Sequence, residues 1–275
     1  NPSMNVAQWY MPADAGTQLL IPTIKRQFGG RSTGPIIQNA SGGAADITIT
    51  YKGSGIDFVQ FANGVPAGAS VTFYENVEIC PAGATCGQTG TPLPIGTLAS
   101  AVVTASGNVV GVVNETYVTI PAGQRQRQTV TSAFNAAAAT TKVGVPLYKV
   151  NHDYKNSGVQ LQNSDLSNPA GYTATFSLGG SGGVPVTEYV LQGTIDPGQY
   201  VTLFKLYAAL PAGSSWVGSG FPSTFSASST SAERFGSVTI VADKSIVAAV
   251  TEADGDPVSG NRQDIKSYEA FNLAP

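Results

Sequence analysis

The chain aligns with itself, and this self-similarity restricts its fold more than any other feature. Ile21-Pro22 and Lys25 match Val145-Pro146 and Lys149; Gly34 and Gln38-Asn39 match Gly158 and Gln162-Asn163, all at an offset of 124. Thr48, Thr50 and Tyr51 match Thr173, Thr175 and Phe176 at 125. Gly68, Val71-Thr72 and Pro81-Ala82-Gly83 match Gly198, Val201-Thr202 and Pro211-Ala212-Gly213 at 130. Gly123, Arg125-Gln126 and Ala133-Phe134-Asn135 match Gly260, Arg262-Gln263 and Ala270-Phe271-Asn272 at 137. The offset only grows, and it grows inside Gly/Ser-rich stretches, as loop insertions between fixed strands do. Repeat 1 is therefore expected over 17–137 and repeat 2 over 141–275, joined by a short linker of small residues, Ala136 to Thr141. Each repeat has domain size, which points to a domain duplication and away from a solenoid.

Within each repeat the apolar period is two. Asp46 to Tyr51 and Tyr172 to Ser177 alternate apolar and polar residues. Val71-Thr-Phe-Tyr74 and Val201-Thr-Leu-Phe204 each follow a Pro/Gly turn. Ala101 to Thr104 and Val109 to Val113 flank Ala105-Ser-Gly-Asn108, which reads as a hairpin with Gly and Asn at the turn. Its counterpart is Ser237 to Val241, then Ala242 to Ser245, then Ile246 to Val250. Roughly seven short strands over about 120 residues predict an all-β chain of two tandem immunoglobulin-like β-sandwich domains related by internal duplication.

Charged residues make up only 11% of the 275 residues, against a usual share of about 25%. The apolar share is 42%, enough for packed cores. Net charge is −3, and the one basic run, Arg125 and Arg127 among glutamines, is too small for a nucleic-acid partner. No apolar run reaches the length of a membrane-spanning helix. The sequence begins at Asn1 without Met, as after removal of a signal peptide. Cys80 and Cys86 are two free thiols, half of a metal site, or a disulfide. A zinc site needs four ligands and His152 is the only histidine, so a local disulfide is favoured, and with it an oxidising, extracellular setting. Cys80 aligns with Leu210 and Cys86 with Trp216, so bulk replaces the bridge in repeat 2. Asn39-Ala-Ser and Asn114-Glu-Thr fit the glycosylation acceptor pattern, a triplet that also arises by chance.

The string Ile21-Pro22, Ile36-Ile-Gln-Asn39, Thr48-Ile-Thr-Tyr51, Pro66-Ala-Gly68 with Val71-Thr-Phe73, and Val112-Val-Asn-Glu115 resembles the tandem Ig-like domains of secreted bacterial and archaeal cell-surface proteins. The likeness covers all but residues 1–16, and repeat 2 departs from it at Thr251-Glu252. It implies a fold and a surface location, and carries across no catalytic residue.

The constellations that chemistry requires are sparse. His152 aligns with Phe28, so a catalytic base would exist in one copy only. Asp254 and Asp256 form an Asp-Gly-Asp that is either a weak Ca²⁺ candidate or a plain turn, without the spacing of an EF-hand. Trp216, Phe221 and Phe225 lie in the long insertion of repeat 2, where exposed aromatics would stack on surface glycans and buried ones would pack a core. Residues 1–16 have no counterpart before repeat 2 and carry Met4, Val6, Trp9, Tyr10 and Met11. Such an apolar arm adds to its own domain, packs between domains, or is donated as a strand to a neighbouring subunit, giving a homopolymer. The expectation is thus a non-enzymatic, cofactor-free extracellular protein, foremost a filament subunit, with a glycan-binding adhesive module as the alternative.

Overall fold

The computed structural model describes residues 14–118, 128–254 and 265–273. Within them the chain is all-β apart from short 3-10 turns. It forms two compact units that divide between Ala139 and Thr140, inside the expected linker. Unit 1 contains β1 (Gly16–Arg26), β2 (Arg31–Asn39), β3 (Ala45–Lys52), β4 (Val59–Val65), β5 (Ser70–Tyr74), β6 (Val77–Ile79), β7 (Thr85–Thr89), β8 (Thr97–Tyr117), β9 (Gln128–Ser132) and β10 (Phe134–Asn135). Unit 2 contains β11 (Thr140–Lys149), β12 (Lys155–Asn163), β13 (Ala170–Leu178), β14 (Thr187–Ile195), β15 (Tyr200–Leu203), β16 (Ser215–Val217), β17 (Phe235–Asp254), β18 (Ile265–Glu269) and β19 (Phe271–Asn272).

All pairings between the described strands are antiparallel. In unit 1 they run β6-β5-β2-β8-β3-β4-β7, with β1 and β9 also on β8, and β10 on β1. In unit 2 they run β15-β12-β17-β13-β14-β16, with β11 and β18 on β17, and β19 on β11. Strand for strand the two orders coincide, except that the described residues of unit 2 contain no counterpart of β6.

The hairpins expected around residues 105–108 and 242–245 do not form. Instead β8 is one strand of 21 residues and β17 one of 20. The first half of β8 pairs with β1 and β3, the second half with β2 and β9. A two-residue hairpin loop needs positive φ, and none of residues 105–108 has it. The loop before β3 holds this stretch instead: Ala40 N–H donates to Asn108 O at 2.9 Å and Asp46 N–H to Ser106 Oγ at 2.9 Å. Each unit is consequently one continuous sheet, bent along its longest strand and folded over a single core as a half-barrel.

The cores follow the period-two pattern. Ile47, Ile49 and Tyr51 of β3 point inward with Phe58 and Phe73; Tyr172, Ala174, Phe176 and Leu178 of β13 do so in unit 2. Polar contacts recur at matched positions. The buried Asn39 donates from Nδ2 to Val65 O at 2.8 Å and Gly43 O at 2.7 Å, while its Oδ1 accepts from Ser41 N–H. Asn163 repeats this with Ile195 O, Asn168 O and Asp165 N–H.

An ion pair closes the end of each half-barrel. Lys25 Nζ lies 2.8 Å from Glu115 Oε2, with both side chains only 8% exposed, and Arg31 Nη1 lies 3.0 Å from Oε1. Lys25 stands beside the start of β8 and Glu115 near its far end, so the pair joins the two halves of the sheet. Lys149 and Glu252 repeat the contact at 2.6 Å. Burial alone would raise the Glu115 carboxyl, but the charges and hydrogen bonds of Lys25 and Arg31 bring it below its ordinary value. Glu115→Ala, which strands a buried lysine, is expected to cost about 3–5 kcal/mol in denaturant unfolding of unit 1. Against Glu115→Gln, the wild-type advantage should be full at neutral pH. It should shrink as pH falls below the ordinary glutamate value of about 4.3 and through the lowered native one.

Candidate functional site

The two units differ at one edge of the sheet. In unit 1, β5 and β6 form a hairpin whose loop residues, Glu75 and Asn76, have φ of 44° and 69°. This is the primed turn that matches strand twist, and asparagine tolerates its left-handed backbone. β6 then lies along β5, with Gln60 Nε2 donating to Glu78 Oε1 at 2.7 Å. The chain passes directly into Cys80, which is bonded to Cys86 of β7, the expected disulfide. β6 and β7 are the two ends of the strand path, so the bridge ties one end of the folded sheet to the other.

In unit 2 the equivalent loop residues are Lys205 and Leu206. Lys205 keeps the positive φ, 48°, but Leu206 does not. Leu206 enters the core, with Tyr207 packed against it, and Ala208 N–H closes a turn onto Lys205 O at 2.8 Å. No second edge strand follows, and β15 ends the path among the described residues. Phe204 still covers Gly158 as Tyr74 covers Gly34: a Cβ would stand 3.3 Å and 2.9 Å from the respective rings, so a side chain at either position would press on the ring. Two buried polar atoms near this edge, Thr202 Oγ1 and its cross-strand neighbour's Gln160 Oε1, have no partner among the described residues. The signal was present in the sequence, Glu75-Asn76 against Lys205-Leu206, but hairpin chemistry is visible there only once the register is known.

The aromatic insertion is not an exposed platform. Phe221 is 8% exposed and Phe225 2%. Phe221 packs on Phe176 at 5.2 Å, on Tyr189 at 4.9 Å and on Trp216 at 5.0 Å between centroids. The Arg234 guanidinium lies 4.3 Å from the Phe225 ring centre. Leu210 and Trp216, at the cysteine positions, pack partly buried on the same core. Of the two readings of this insertion, the burial of Phe221 and Phe225 accords with core packing: burial of apolar area draws these rings inward, and they extend the core of unit 2.

The other candidates separate cleanly. Both hydrogens of Asn39 Nδ2 are committed to backbone carbonyls, so the folded domain offers no free nitrogen there for a glycan. Asn114 is partly exposed, in β8 between β2 and β9. His152 has Nε2 3.2 Å from Thr230 O and its ring edge-on to Phe235. Asp256, the side chain of Asp254, and Met4, Val6, Trp9, Tyr10 and Met11 lie outside the described residues. Among the described residues no three His, Cys, Asp or Glu side chains cluster as metal ligands. The fold and this edge define a two-unit all-β protein; compared with family models, curated proteins and solved structures, the chain matches none.

Replacing Cys80 and Cys86 together by alanine should lower the stability of unit 1 by about 2 kcal/mol, the loop-entropy value for so short a ring. The calorimetric transition of unit 2 should stay in place. Phe225→Ala should do the converse, lowering the unit 2 transition by about 3–5 kcal/mol.

Proposed function

We propose that this is a non-enzymatic extracellular structural protein, built by duplication of one Ig-like sandwich and assembled into a cell-surface filament by strand addition. The donor lies in the N-terminal arm, residues 1–16, ahead of the start of β1 at Gly16, and the edge of β15 in the next subunit is the acceptor. The observation that carries this reading is the asymmetry between units: unit 1 covers its edge with β6 and ties it down with Cys80–Cys86, whereas among the described residues unit 2 ends at β15. Unpaired edge backbone is a template for another strand, and proteins that keep one uncovered normally blunt it. A strand laid beside β15 would also bring backbone groups near Thr202 Oγ1 and Gln160 Oε1.

Several further observations support the reading. The strand order, the asparagine clamps and the Lys–Glu pairs recur at matched positions, as duplication requires. The disulfide accords with an oxidising compartment. Donation from one end of a subunit to a different face of the next is head-to-tail and does not close on itself, so it yields a polymer.

Deleting residues 1–16 should leave folded monomers and remove polymers in negative-stain images. A synthetic peptide of residues 1–16 added to intact protein should cap the acceptor and shorten the polymers. Filaments of ordinary length from the deleted protein would refute the assignment of the arm as donor.

A further inference from the structure

Unit 2 carries an open groove of about 630 Å³ on the solvent face of β13, β14 and β17. It is remote in kind from the β15 edge and plays no part in the assembly proposed above. We propose that it is a binding site for neutral, hydroxyl-rich ligands, that is, for uncharged oligosaccharides.

The register builds the groove. One cross-strand row on this face is Val241, Thr173, Gln192 and Ser215. The next row is Asp243, Gly171 and Thr194, where Gly171 pairs with Thr194 and its N–H donates to Asp243 Oδ1 at 2.9 Å. Two residues along a strand set these rows about 7 Å apart, so one saccharide unit reaches both. Gly171 is the dent. A Cβ there would stand 3.3 Å from Asp243 Oδ2, so the second carboxylate oxygen overhangs the space that the missing side chain leaves.

Unit 1 fills the same place. Its rows are Thr104, Thr48, Phe61 and Gly87, then Ser106, Asp46 and Gly64. The Phe61 ring lies over Gly87, where a Cβ would come within 2.7 Å of it. The Asp46 carboxylate bends across to accept from Gly64 N–H at 2.8 Å. Gly171 and Gln192 in unit 2 remove both obstructions, and the β13–β14 ladder runs without the register shift that unit 1 has between Ala45 and Ile47.

The lining selects the ligand. Threonine and serine hydroxyls and the Gln192 amide both donate and accept, while Asp243 only accepts. A complementary ligand must therefore donate and accept across both rows and bring hydroxyls to the carboxylate. Val241, 48% exposed, offers an apolar patch to ring C–H groups. The groove lining contains no cation, and its one charge is negative, which disfavours phosphates, nucleic acids and acidic glycans.

The test is an amide-resolved NMR titration of the full chain with maltotetraose, cellotetraose and mannotetraose, and with a sialylated trisaccharide as the charged control. At least one neutral probe should shift amides confined to residues 171–173, 192–194, 213–215 and 241–243. The double substitution Gly171→Asp with Asp243→Ser installs the unit 1 pair. It should weaken binding at least about tenfold, the size of one or two lost hydrogen bonds, while leaving the rest of the spectrum superimposable. Thr173→Val, nearly isosteric, should weaken binding without disturbing the fold and serves if the double variant is unstable. The proposal is overturned if none of the neutral probes shifts these amides, if only the sialylated probe does, or if the variants bind as the wild type does.

Discussion

A β-sheet has to terminate, and each terminating strand leaves backbone donors and acceptors without a partner. Most of this protein's architecture is an answer to that constraint. β8 and β17 each serve both halves of a sheet, so neither unit splits into two sheets with four exposed edges. In unit 1 the remaining ends of the path are joined covalently through Cys80 and Cys86. In unit 2 the same place is filled by Leu210 and Trp216, which pack partly buried on the core. The two units differ in strand pairing: β6 lies along β5 in unit 1, whereas β15 ends the path among the described residues of unit 2. On the proposed assembly, that difference gives the second unit an edge to offer.

The charged pairs make sense in the same frame. A chain with so few charges places one lysine and one glutamate at matched positions in both units, buried in unit 1 and with Lys149 partly exposed in unit 2. A buried ion pair adds little net stability over an apolar pair, but it strongly penalises any arrangement that separates its members. Here the members lie on strands from the two halves of one bent sheet. The pair thus selects the closed half-barrel over a flatter sheet with the same hydrogen bonds.

Much of this was legible in the sequence because the chain's self-similarity supplies its own alignment. Strand positions follow from matched residues and from alternation, which report local conformation directly, and the cysteine bridge from the lack of further metal ligands. The long strands were not legible. Ala105-Ser-Gly-Asn108 has turn composition, yet the loop around Ala40 and Asp46 supplies hydrogen bonds that hold it extended, a tertiary effect with no local trace. The aromatic insertion left two readings open for a related reason: Phe221 and Phe225 sit in a Gly/Ser-rich loop by composition, but their fate depended on whether Phe176 and Tyr189 presented apolar area beneath them. Lys25 and Lys149 were visible as a match, but their partners Glu115 and Glu252 became partners only through the bend of β8 and β17. The groove on unit 2 needed cross-strand register, since Gly171 reads in sequence as an ordinary loop-to-strand glycine.

In the proposed assembly, β15 gains a backbone partner when subunits meet. Backbone amide hydrogen exchange, followed at Tyr200–Leu203 in assembled protein and in protein lacking residues 1–16, measures this directly. A donated strand predicts marked slowing of exchange along β15 in the assembly, with β5 and β6 of unit 1 unchanged. Equal exchange along β15 in both states would contradict it.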